Sequence, residues 1–107
     1  MKVKFVNLTP HDINIVTDNG IVTIPRSGNV ARCNTISSLY SRIDGIPLFA
    51  TRFGDVIDLP PMTQEKILYI VSAMVKQKEY TRHDLVSPGE LVRDEKGNII
   101  GCKGFNI

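Results

Sequence analysis

The chain has 107 residues, of which 42% are hydrophobic and 22% are charged, and Lys and Arg outnumber Asp and Glu by 13 to 11. A chain of this length builds one core, so we expect a single domain over residues 1–107. The net charge of +2 argues against a nucleic-acid-binding protein. No apolar run reaches the roughly 18 residues of a membrane span, so we expect no membrane partner.

The sequence also lacks the features of exported and catalytic proteins. The residues after Met1 have no apolar leader, so we expect a cytoplasmic protein in which Cys33 and Cys102 are free thiols. No spacing typical of a metal site, a glycine-rich nucleotide loop or a catalytic motif occurs. We therefore expect no cofactor.

The first of three hairpin signals is Asn19-Gly20, which lies between two β-branched segments. A type I′ turn needs positive φ at both central residues, and this dipeptide tolerates it. With Asn19 and Gly20 at the centre of the turn, Asp18 lies opposite Ile21. Alternation then places one apolar set on a common face: Ile13, Ile15, Val22 and Ile24.

Two further signals follow later in the chain. Asp44-Gly45 predicts a tight hairpin between strands at 39–43 and 46–53, and Pro47 marks an edge strand or a bulge because it cannot donate to the ladder. Gly97 fits the left-handed position of a longer loop near the C-terminus. Additional strands are predicted at three segments: 3–8, 30–35 and 99–102.

Residues 64–80 fit two structures. Apolar residues at helical spacing favour one amphipathic helix, but the β-branched and aromatic content of 67–71 favours a strand. We prefer the strand, followed by a helix that Ser72 caps and that runs from Ala73 to about Glu79. The predicted fold is α+β, mainly antiparallel β as a hairpin-rich sheet, sandwich or open barrel, with one late α-helix.

Three blocks of sequence are similar to a known group of proteins. They are NLTPHDI at 7–13, LYIVSAMV at 68–75, and the tail RHDLVSPG, VRD and GNIIGC between 82 and 102. They resemble a family of small proteins associated with bacteriophages, prophages and some bacterial genomes. The resemblance implies an accessory protein of the host-cell cytoplasm, encoded by a phage, and it implies no particular activity.

Arginine is concentrated in the middle third of the chain. Between 26 and 52 there are four arginines and one acid, Asp44, which is a local charge of +3 from 4 minus 1. The planar guanidinium suits bidentate contacts to phosphate or carboxylate. If these residues converge they form an anion pocket, and if strand alternation scatters them they form a solvated face. The candidate ligand-binding residues are Arg26, Arg32, Arg52, Arg82, His11, His83 and Ser72.

Several of these candidates also have a structural interpretation. His11 follows a strand and can fix a turn. His83 and Asp84 are adjacent on an extended chain and point in opposite directions, so a salt bridge of Asp84 or an anchored loop is favoured over a catalytic dyad. Ser72 suits an N-cap as well as an anion contact.

Three functions follow from these features. The first is sequestration of a small anionic, nucleotide-derived molecule without turnover, as in a sponge that counters host defence. The second is a structural or interaction protein that works through β-edge pairing or as a homo-oligomer. The third is a small phosphodiesterase that uses the two histidines.

Overall fold

The computed structural model describes residues 3–107, which form mainly β-structure with a single short helix, as the sequence predicts. In the described residues no helix has the length and apolar character needed to cross a bilayer. The elements in chain order are β1 (Lys4–Asn7), β2 (Ile13–Thr17), β3 (Gly20–Ile24), β4 (Arg32–Ile43), β5 (Ile46–Ile57), β6 (Ile67–Ile70), α1 (Ala73–Lys78), β7 (Leu85–Pro88), β8 (Leu91–Arg93), β9 (Ile99–Cys102) and β10 (Phe105–Asn106).

The strands form two four-stranded sheets and one long hairpin. The central sheet has the order β1-β6-β7-β10, in which β1, β6 and β7 are parallel and β10 is antiparallel to β7. The outer sheet has the order β3-β2-β9-β8. Strands β4 and β5 pair only with each other.

The central sheet is buried on both faces, and this explains its apolar sequence. On one face Tyr69, Val71 and Leu85 pack with Val75 of α1 and with Ala31 beside β4. On the other face the core joins the two sheets through Ile13, Ile70, Val86 and Cys102. The body therefore has three layers, with the base of the long hairpin packed beside the helix.

The preferred structure for residues 64–80 is confirmed. Strand β6 covers Ile67–Ile70, and the helix begins at Ala73. The Ser72 hydroxyl accepts a hydrogen bond from the Val75 amide at 3.3 Å, which is the predicted N-cap. The alternative of one long amphipathic helix is wrong because this segment pairs with β1 and β7 on both edges.

The first hairpin forms, but its predicted register is wrong. Thr17 pairs with Gly20 and Val16 with Ile21, so Asp18 and Asn19 are the central turn residues. Gly20 alone has positive φ in this turn, and the Thr17 hydroxyl donates to the Gly20 carbonyl oxygen at 2.7 Å. The predicted apolar face survives, with its members in two register pairs: Ile13 with Ile24 and Ile15 with Val22.

The other two hairpins are confirmed. Asp44 and Gly45 both have positive φ, at 51° and 78°, as a type I′ turn requires. Gly97 has a φ of 84° in the loop between β8 and β9. In that loop Asp94 accepts backbone hydrogen bonds, and the largest effect, from the Asn98 amide, lowers the pKa of its carboxyl group.

The second hairpin is much longer than predicted. The strands expected at 30–35 and 39–43 are one continuous strand, β4, and both β4 and β5 have 12 residues. We call residues 35–53 the arm, because none of them belongs to a core cluster, whereas Cys33 and Val56 at its base pack against the core. The radius of gyration is 17.1 Å, compared with about 13 Å for a compact chain of this length.

A close approach between two strands of the outer sheet depends on Gly101. A Cβ at this position would lie 2.7 Å from the Asn14 carbonyl oxygen, whereas a Cβ at Gly54 would come no closer than 3.4 Å to any atom. We expect Gly101→Ala to lower the free energy of unfolding by about 2 kcal/mol and Gly54→Ala to change it far less. Urea denaturation of the two variants measures this, and equal losses would contradict the packing of β9 on β2.

Candidate functional site

A cleft lies at the base of the arm, where the chain enters β4 and leaves β5. It has a volume of about 620 Å³ and is lined by residues 28–30, Arg32 and residues 57–60. Arg32 and Ile57 are a register pair at the first rung of the hairpin. The cleft therefore depends on the pairing of β4 with β5, in which Arg32 and Ile57 are 25 positions apart in the sequence, from 57 minus 32.

Two opposite charges line this cleft without forming an ion pair. Arg32 is exposed, and its guanidinium has no hydrogen bond or ion pair within residues 3–107. Asp58 lies on the opposite wall with a φ of 59°, a left-handed conformation that Asp adopts more readily than most residues. The two side chains form no ion pair with each other, so both are available to a bound molecule.

The loop before β4 lines the same cleft. The Asn29 amide donates to the Ser27 hydroxyl at 3.2 Å, which closes a tight turn. The Gly28 and Val30 amides donate to no group in the described part of the chain. Unpaired backbone amides beside an arginine are typical of sites that hold an anion.

Arg82 does not line the cleft but contacts Pro60, a residue of its wall. Its guanidinium forms a bidentate pair with the Asp84 carboxylate, at 2.9 and 2.6 Å, and donates to the Pro60 carbonyl oxygen at 2.7 Å. The hydrogen bond to Asp84 raises the pKa of Arg82 above its already high ordinary value. Since Pro60 lines the cleft, Arg82 holds one wall in position and is a positioning residue.

The structure does not bring the other predicted arginines into this cleft. Arg52 lies on the arm opposite Ile36, five positions along β5 from Ile57 and so about 17 Å away along the strand. Arg26 is exposed two residues before Gly28, and its guanidinium is 3.5 Å from the Pro10 carbonyl oxygen. Within one chain, Arg32 is the single predicted arginine that lines the cleft.

The remaining predicted residues lie elsewhere. His11 is exposed in the loop after β1. His83 lines two other depressions: a shallow one beside Ile67, and a separate one of about 560 Å³ around Tyr80, which Arg82 also lines. The Asp84 carboxylate next to His83 is occupied by Arg82, as the salt-bridge interpretation expected. The Ser72 hydroxyl is used as an N-cap. Among residues 3–107 no group of three His, Cys, Asp or Glu side chains could hold a metal ion.

Comparison with known proteins gives no relative. No family model matches the chain, and neither the curated proteins nor the solved structures include a significant match.

The sequence analysis did not identify most residues of the cleft. Among the cleft residues only Arg32 is a sequence-based candidate; Val30 is predicted only as the start of a strand, and Gly28 and Pro60 fit a turn and a stiff connector. Each of the segments 28–30 and 58–60 has turn-forming residues but no chemical signature of its own. One segment precedes β4 and the other follows β5. They meet only because Arg32 pairs with Ile57 at the base of the hairpin, and the sequence alone does not give this pairing.

Proposed function

We propose that the protein binds a small anionic, nucleotide-derived molecule in the cleft at the base of the arm and sequesters it without turnover. The observation that carries the proposal is the unpaired Arg32 guanidinium beside the unbonded Gly28 and Val30 amides. A guanidinium and two backbone amides suit a phosphate group, since charge-assisted hydrogen bonds are stronger than neutral ones.

The other wall of the cleft suits the rest of such a molecule. Asp58 can accept hydrogen bonds from ribose hydroxyl groups, and Ile57 and Leu59 offer apolar surface to a base. An acid close to Arg32 weakens the attraction for a bare phosphate ion. The pattern therefore favours a nucleotide-like ligand over inorganic phosphate. For a phage-encoded protein, binding such a ligand without turnover would be the action of a sponge.

We expect Arg32→Ala to weaken binding at least about tenfold, because one hydrogen bond to a charged group contributes about 1.5–3 kcal/mol. Isothermal titration calorimetry of the full chain with ADP-ribose and with cyclic dinucleotides measures this. Arg93→Ala is the matched control, since Arg93 is exposed and lies outside the cleft. No heat with any of these probes, or equal losses in the two variants, would overturn the proposal.

Sequestration without turnover predicts that the ligand stays chemically unchanged. After incubation and denaturation of the complex, chromatography should recover the probe chemically unchanged. Time-dependent loss of the probe that is abolished by His11→Ala or His83→Ala would instead support a phosphodiesterase.

A further inference from the structure

The arm exposes large apolar side chains on both of its faces. Along β5 the residues alternate, so Phe49 and Phe53 share one face with Leu39, which pairs with Phe49. These three side chains are 47–62% exposed. Tyr40 lies at the bulge in β4 and is 78% exposed.

The opposite face of the arm carries four large aliphatic side chains beside Arg52 and two serines. It carries Ile46 and Leu48 of β5, with Ile43 and Ile36 of β4, at exposures between 37% and 64%. A strand that is apolar on both faces is normally buried on both. Here neither face is covered by any other element among residues 3–107.

A hairpin of this kind needs a partner for its stability. Two strands alone are marginally stable in water, and the outer edges of β4 and β5 are unpaired as well as their faces. Exposed apolar patches of more than a few hundred Å² mark interaction sites in folded proteins. The arm is therefore a docking surface.

The exposed apolar area and the charge of the arm indicate which partner the arm fits. Large apolar side chains carry roughly 150–250 Å² each, so the exposed parts of these eight amount to on the order of 900 Å², about half of it on each face. A standard interface buries about 800 Å² per partner, so an interface of that size covers both faces of the arm. The arm has only three charged residues, Arg42, Asp44 and Arg52. It therefore lacks the charge to select an acidic or basic partner, and two copies of it repel each other little.

We propose that the arm is the interface through which copies of this chain associate into a closed homo-oligomer, with the arm of one copy packed against the arm of the next. Both faces are apolar, and both edges are free to extend the sheet. A two-fold arrangement is self-complementary for such a hairpin, because the same residues are buried on both copies. This proposal does not depend on the one made for the cleft.

Sedimentation equilibrium of the full chain tests the proposal. The average mass should reach at least twice that of one chain and fall on dilution. Phe49→Asp should weaken association by at least about tenfold, since aromatic residues at the centre of an interface carry most of its binding energy. Tyr80→Asp is the matched control, because Tyr80 is 82% exposed and lies outside the arm, and it should leave association unchanged.

Hydrogen exchange of the unmodified protein keeps the test independent of the folding of any variant. Amides of residues 35–53 should exchange more slowly as protein concentration rises, while those of the buried strand Ile67–Ile70 should not change. A single-chain mass at every concentration, together with exchange from the arm that does not depend on concentration, would overturn the proposal.

Discussion

Arg82→Met is expected to lower the free energy of unfolding by about 3 kcal/mol, because it leaves the Asp84 carboxylate without its partner. Both side chains are largely buried, at 13% and 14% exposure, and the pair is bidentate. The change also removes the donor to the Pro60 carbonyl oxygen. Guanidinium denaturation should show a lower midpoint with an unchanged slope.

The contribution of the pair itself is measured by a double variant. Arg82→Met with Asp84→Leu removes both charges and should recover most of the lost stability, since an apolar pair of similar volume is tolerated in such a position. The ligand affinity of the double variant should stay reduced, because the wall at Pro60 is still unsupported. A double variant as unstable as the single one would contradict this account of Arg82.

Asn7→Asp is the second change with a large expected effect, again about 3 kcal/mol. Asn7 is 1% exposed, and its amide group donates to the carbonyl oxygens of His11 and Ile24 at 2.9 and 3.1 Å. Its side-chain oxygen accepts from the amide and hydroxyl of Thr9. The substitution removes two donors and places a carboxylate oxygen against two carbonyl oxygens.

The loss of stability in Asn7→Asp should depend on pH. Burial and the two carbonyl oxygens raise the pKa of the introduced carboxyl group in the folded state above its value in the unfolded chain. The penalty is therefore full above the folded-state pKa and becomes smaller as the pH falls below it. Asn14→Asp is the matched control, because Asn14 is exposed and only its acceptor oxygen is used. Thermal melts of both variants at several pH values measure this, and equal, pH-independent losses would contradict it.

The local parts of the fold could be predicted from the sequence because their causes are local. The Asp44-Gly45 turn depends on two residues that accept positive φ, and the helix start depends on one serine three residues before an amide it can bond. The first hairpin was predicted with the wrong register, because only Gly20 takes positive φ and Thr17 bonds across the turn. Such competition between turn types is decided by small energy differences.

The arm and the cleft could not be predicted because their causes are not local. Apolar residues on both faces of β4 and β5 indicate buried strands. Nothing in the sequence indicates that these strands extend beyond the body and stay exposed. Convergence of arginines depends on distances across the fold. Arg32 lines the cleft, Arg82 forms an ion pair with Asp84, and Arg52 lies on the arm.

The most direct test of the proposed ligand site at the base of the arm is an NMR titration of the isotope-labelled full chain with ADP-ribose and a cyclic dinucleotide. The proposed site predicts shifts of the backbone amides of Gly28, Val30 and Arg32, with Gly45 at the arm tip unchanged. Shifts confined to the separate depression around Tyr80, or no shifts with either probe, would contradict it.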